Sequence, residues 1–307
     1  IVMANLLHLA AAPVKPADPA TVKIGALITS LSDLEPADGS FRIAGYMWFI
    51  APDDSFDPTR DIQLLARTQQ MTVLEKRQQA DGRQYSAVYF DAVVDTQFNV
   101  VNYPFDAQTL KFVIASRIEA NTLKLAPDTQ DSGLSDVVEV AGWVVGDLRL
   151  VSSYRSYRSG FGYQIEHPSF SRVAFTVDVE RKRSPLIFEK FTGFLVALVI
   201  TALAFAVPAS ELGTRLGMLT SAVFAAVFNL NRLQDSIGFD ASFGVVDRVS
   251  MIAFSAILSS LAFSLFIHRR SQVMARAATA RLNRRFCLGF VVLFGTLLTA
   301  AFWQALR

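Results

Sequence analysis

The chain has 307 residues, 52% of them hydrophobic, with a mean hydropathy of +0.34 and a formal net charge of +2. So apolar an average excludes one ordinary soluble domain, while so small a charge says nothing about nucleic acid, which is not expected as a partner. The one cysteine, Cys287, excludes an intrachain disulfide.

Residues 1–20, opening IVMANLLHLAAAP, read as an N-terminal segment, either the remnant of a secretory signal lacking its basic n-region or a frayed terminus. From there to residue 183 the chain is mixed in composition and strand-like. Apolar runs at 22–31 and 41–51 flank an acidic Pro/Gly turn, and others follow at 61–75, 84–101, 108–118, 136–151 and 170–182. Asp81-Gly82, Tyr103-Pro104, Pro127-Asp128 and Ser159-Gly160 punctuate them. Short strands at this spacing predict an antiparallel β-sandwich over 21–183, a size that supports a core without disulfides. Within it, VVNYPFDAQTLKFVI (100–114) reads as strand, corner, strand, because Pro104 fixes φ and lacks an N–H.

Residues 184–307 predict four membrane helices, at about 185–207, 212–233, 246–267 and 286–305. Each approaches the roughly 20 apolar residues needed to cross about 30 Å of hydrocarbon. The second carries Thr214, Arg215, Thr220, Ser221, Asn229 and Asn231. Such groups are costly in lipid, so neighbouring helices must shield it. Steps of three and four from Gly217 select Ser221, Phe224, Phe228 and Asn231 as one face, whereas a shift of one residue turns Thr220 and Val227 that way. Between the last two spans, HRRSQVMARAATARLNRR holds six Arg and no acid, which predicts a cytoplasmic loop, with the sandwich and the C-terminus outside. No nucleotide-binding or metal-ligand spacing occurs, and His8, His167 and His268 are too scattered for a catalytic set. The chain reads as no enzyme, with no cofactor and no metal.

On these residues the chain resembles the pentameric ligand-gated ion channels, the Cys-loop receptor superfamily, in its bacterial branch without the Cys loop. YPFDAQTL (103–110) is similar to that family's Phe-Pro-Phe-Asp-x-Gln-x-Leu loop, with Tyr103 in place of the first Phe. VKIGALITSLSDLEPADGSFRIAGYMWF is similar to its first hairpin, ERKRSP to its strand entering the membrane, and the four spans to its four helices. No cysteines flank the loop and the cytoplasmic segment is short.

The resemblance implies a homopentamer of identical subunits in the lipid bilayer of a bacterial inner (plasma) membrane, passing ions and gated by an unknown small ligand or ion acting on the sandwich. It implies that the 103–106 loop presses on the membrane domain, with Tyr103 and Phe105 as apolar pegs about Pro104 and Asp106 paired with a base such as Arg183. Gly217, Ser221, Phe224, Phe228 and Asn231 would line the pore, the Phe rings forming a constriction that closes by dewetting. A ring of Glu211 carboxylates would favour cations, and Arg215 would oppose it only by facing the lumen. SSYRSYRSGFGYQ (152–164) corresponds to the loop capping the family's ligand site, with Tyr154, Tyr157, Phe161 and Tyr163 as faces for a cationic ligand and Tyr85 and Tyr89 as weaker candidates. Arg117 and Glu119 stand where amine-binding members place an aromatic. The alternative is a membrane-anchored sensory or binding protein that conducts nothing, which would need no polar and Phe stripe on one helix.

Overall fold

The structure, a computed structural model, describes residues 18–159, 162, 167–182, 186–238 and 243–305. Its first part is a sandwich of β1 (Ala20–Glu35), β2 (Ser40–Ala51), β3 (Ile62–Leu65), β4 (Thr68–Gln78), β5 (Gln84–Asp95), β6 (Ala107–Glu119), β7 (Leu123–Pro127), β8 (Gly133–Leu134), β9 (Trp143–Ser156) and β10 (Ser169–Arg181). One sheet runs β4-β5-β2-β1-β7, with β8 also on β1, and the other runs β3-β6-β10-β9. Pairing is antiparallel except that β7 and β8 run parallel to β1.

Alternation sets the layers. Strand β5 buries every second residue from Gln84 to Val94, as a strand with one face on a core must. Phe90 of one sheet stacks on Phe112 of the other at 5.7 Å, and Phe112 on Phe175 at 4.6 Å. Each such ring, removed from water, contributes roughly 1.5–3 kcal/mol. The single strand expected over 61–75 is instead a short helix α1 (Pro58–Asp61), then β3, then β4. Asp57 caps that helix by accepting from the Thr59 N–H, with Pro58 in the first helical position. The bond from Lys76 holds the Asp57 carboxyl well below the usual carboxylate range.

Helix α2 (Leu186–Leu203), continued by a 3-10 turn at Ala204–Ala206, is followed by α3 (Leu212–Ile237), α4 (Val245–Ser271) and α5 (Arg276–Ala305). All four are long and apolar enough to cross a membrane. Helix α5 starts ten residues before the expected 286, so most of the arginine-rich segment is helical. Ala, Leu and Arg are good helix formers, and long arginine stems place their charge in water while the backbone continues the helix. One hydrophobic cluster runs unbroken from the sandwich core through Tyr103 to Phe191, Leu219 and Val246 of the helices.

Candidate functional site

The YPFD corner lies where sandwich meets helices. Its Tyr103-Pro104 bond is cis. Asp106, almost wholly buried, accepts from Nε and Nη2 of Arg181 at 2.8 and 3.2 Å and from the Gln108 amide at 2.8 Å. Gln108 also accepts from the Asn99 N–H and donates to the Asn99 carbonyl, so one amide closes the loop on itself. The Arg181 guanidinium lies over two rings, 4.1 Å from Trp143 and 4.9 Å from Tyr103. Burial pushes the Tyr103 phenol above its ordinary value, against the pull of Arg181. Among the described residues the base serving Asp106 is Arg181, at the end of β10; Arg183, the base that the sequence suggested, lies outside the described residues.

From this knot the loop touches the helices at named points. Phe105 meets Phe302 of α5 edge-on at 6.5 Å, and Phe302 meets Phe191 of α2 at 5.2 Å. The Val101 carbonyl accepts from Val245 N–H, the first residue of α4, at 2.9 Å. A Cβ on Gly244 would stand 2.8 Å from that carbonyl, so only glycine permits the approach. On the other side Gly238, with φ of +73°, ends α3 against Ala37 of the β1–β2 turn, its Cβ position 2.9 Å from the Ala37 Cα.

Helix α3 divides along its length. Arg215, Leu219, Ala222, Ala226, Asn229 and Leu233 are buried, a row at helical spacing against the other helices. Gly217, Ser221, Phe224, Phe228 and Asn231 are all exposed, Phe224 at 69% and Phe228 at 76%. Thr220 and Val227 are exposed beside them. The next step of four reaches Asp235, also exposed, which the span expected to end at 233 does not include. Arg215 points away from this stripe: it is fully buried, donates to the Val207 carbonyl at 2.6 and 3.1 Å and to Asn283 Oδ1 of α5 at 2.9 Å. Glu211 precedes the helix, exposed, its carboxylate 3.5 Å from the Thr214 hydroxyl. Close packing of α2 on α3 comes from Gly193, whose N–H donates to Asn229 Oδ1 and whose missing Cβ would lie 2.5 Å from that side chain.

At the other end of the sandwich, the β9–β10 hairpin does not place Tyr154 and Tyr157 on one face. Tyr154 pairs in register with Ser171, whose side chain is buried under β7, while Arg155 pairs with Phe170. Tyr157 meets Phe170 edge-on at 5.8 Å and accepts a hydrogen bond from Arg172. Guanidiniums of Arg155 and Arg172 lie 5.9 and 5.6 Å from its ring. A ring contacted by two cations is a poor seat for a third, so Tyr157 departs from the cationic-ligand expectation. Phe161 and Tyr163 lie outside the described residues. Tyr85 lies beneath Arg77 at 5.9 Å, and Tyr89 pairs with Tyr46 at 5.6 Å.

These observations define a membrane protein with a β-rich domain docked on four membrane-crossing helices. No family model matches the sequence, and no curated protein matches it.

Proposed function

We propose that the chain is a subunit of a homopentameric ion channel, gated by a ligand or ion acting on the sandwich, which lies outside the cell membrane. The observation that carries this reading is the divided α3 helix. One face packs within the subunit, while the opposite one leaves Gly217, Ser221, Phe224, Phe228 and Asn231 exposed among the described residues. Five such faces around an axis would form a passage with hydroxyl, aromatic and amide rings in turn, closing where the Phe rings exclude water. The burial of Arg215 supports cation passage, because its charge is spent on Val207 and Asn283. The loop resemblance and the direct contact of Phe105 with α5 support the coupling role assigned to Tyr103, Pro104, Phe105 and Asp106.

Purified protein in a planar bilayer tests it. Unitary currents and five subunits per particle are expected, and a chain that incorporates but carries no current under any applied ligand or pH would be a sensor or binding protein instead.

A further inference from the structure

The sandwich's arginines fall into two groups. Arg42, Arg60, Arg67, Arg77, Arg83, Arg149 and Arg181 each stand within ion-pair distance of a carboxylate. Arg117, Arg155, Arg158 and Arg172 do not, among the described residues. Those four are also the ones that the topology collects at one end of the β6-β10-β9 sheet. Arg172 pairs with Ser153 of β9 and Ala115 of β6, Arg155 with Phe170, and exposed Arg117 lies in the irregular stretch of β6 between its pairs with Arg172 and Phe170. Arg158 follows the last pairs of β9, also exposed. Nε of Arg172 is buried without a hydrogen-bond partner. The nearest acid in register, Glu119, pairs with Phe170 and accepts from the Asn121 amide at 3.2 Å.

Four guanidiniums against one carboxylate among the described residues, with the aromatic faces of Tyr157 and Phe170 beside them, is the reverse of a cage for an amine. A buried donor without an acceptor is destabilising, and guanidinium forks fit the paired oxygens of a carboxylate or phosphate. We propose that the β9–β10 tip is a binding site for a small oxyanion, a carboxylate or a phosphate, held by Arg155 and Arg172 with Arg117 and Arg158 adding positive field. This rests on the reading of that hairpin as the part of the sandwich that receives the ligand. Tyr157, held by Arg172, then forms the flat wall against which an unsaturated carboxylate lies, and an amine is repelled.

Calorimetric titration of the full-length protein in detergent with benzoate, inorganic phosphate and benzylamine tests the assignment. Benzoate and benzylamine share a ring and differ in charge, and phosphate separates oxyanion recognition from ring recognition. Binding of benzoate or phosphate, weakened about tenfold or more in both R155Q and R172Q and unchanged in R77Q, is the expected result. R155Q is the safeguard if R172Q fails to fold, since Arg155 is exposed and, among the described residues, its side chain lies only within cation–π distance of the Tyr157 ring and in no ion pair. Preferential binding of benzylamine, no binding of either anion, or anion binding that is equal in parent, R155Q and R172Q overturns it. The titration needs no current: a chain that binds benzoate yet never conducts would overturn the channel reading and leave the oxyanion site standing, and a conducting chain that binds neither anion does the opposite.

Discussion

Arg181 holds both carboxylate oxygens of Asp106, at 2.8 and 3.2 Å, in a place where Asp106 keeps 1% and Arg181 14% of its side chain exposed. The pair closes the YPFD corner onto the last residue of β10, directly before the chain enters α2. Removing one member leaves the other buried and uncompensated, which typically costs about 3–5 kcal/mol. D106A is expected to lower unfolding stability by that order, and R181K to recover little, because an ammonium cannot reproduce the fork or the contacts with Tyr103 and Trp143. Denaturant unfolding of the single and double mutants checks it. Additive effects, with no coupling energy, would show that the two side chains act independently.

Phe224 is expected to be the hydrophobic restriction of the passage. F224S should raise resting conductance severalfold, and F228S should do so less strongly if Phe224 stands nearer the centre of the exposed face. Single-channel recording without added ligand decides between them. A well-expressed F224S protein with the parent's basal current removes Phe224 from the passage.

Two carboxylates bracket the exposed stripe of α3: Glu211 just before the helix and Asp235 one turn beyond Asn231. Low-dielectric walls focus the field of a carboxylate ring and raise the local cation concentration. E211Q and D235N should each reduce cation preference, most clearly at low ionic strength where screening is weakest. Reversal potentials in a KCl gradient measure this, and an anion-selective parent protein would send attention back to Arg215.

Tyr103 gives a pH prediction. Burial raises its phenol above the ordinary value near 10. A group whose folded value is raised contributes stability that is complete below the unfolded value and lost as pH rises through the folded one. Alkaline titration of tyrosinate absorbance should therefore show a late-ionising tyrosine absent from Y103F, with unfolding following its ionisation. Identical titrations for parent and Y103F would contradict the buried phenol.

The sandwich was legible in the alternating runs that became β1, β2, β5, β6 and β10, because each buries one face. The membrane helices were legible from length and hydropathy alone, and the exposed stripe of α3 from its three-four spacing. What stayed hidden needed pairing or direction. Nothing in ERKRSP says that Arg181 turns back toward Asp106; the register of β10 against β6 decides it. Tyr154 and Tyr157 differ by an odd number of residues, which strand alternation sends to opposite faces, a signal present in the sequence and outweighed by the grouping of aromatics. The early start of α5 was masked because hydropathy ends at the first arginine while helical propensity does not.

Helix α5 packs along its length, Phe286 and Phe290 on Phe205 of the 3-10 turn, and two of its contacts stand far apart: Asn283, which receives the Arg215 guanidinium at the foot of α3, and Phe302, which meets the sandwich through Phe105. At 1.5 Å per residue those anchors stand about 28 Å apart, close to the roughly 30 Å of a bilayer's hydrocarbon layer. Between them the helix shows Leu288, Val291, Val292, Leu293 and Leu297 to its surroundings. Helix α5 thus works as a gauge rod, fixed at one end to the foot of α3 and at the other to the 103–106 corner. Lipid thicker or thinner than that rod must tilt it, and a tilt strains both anchors at once.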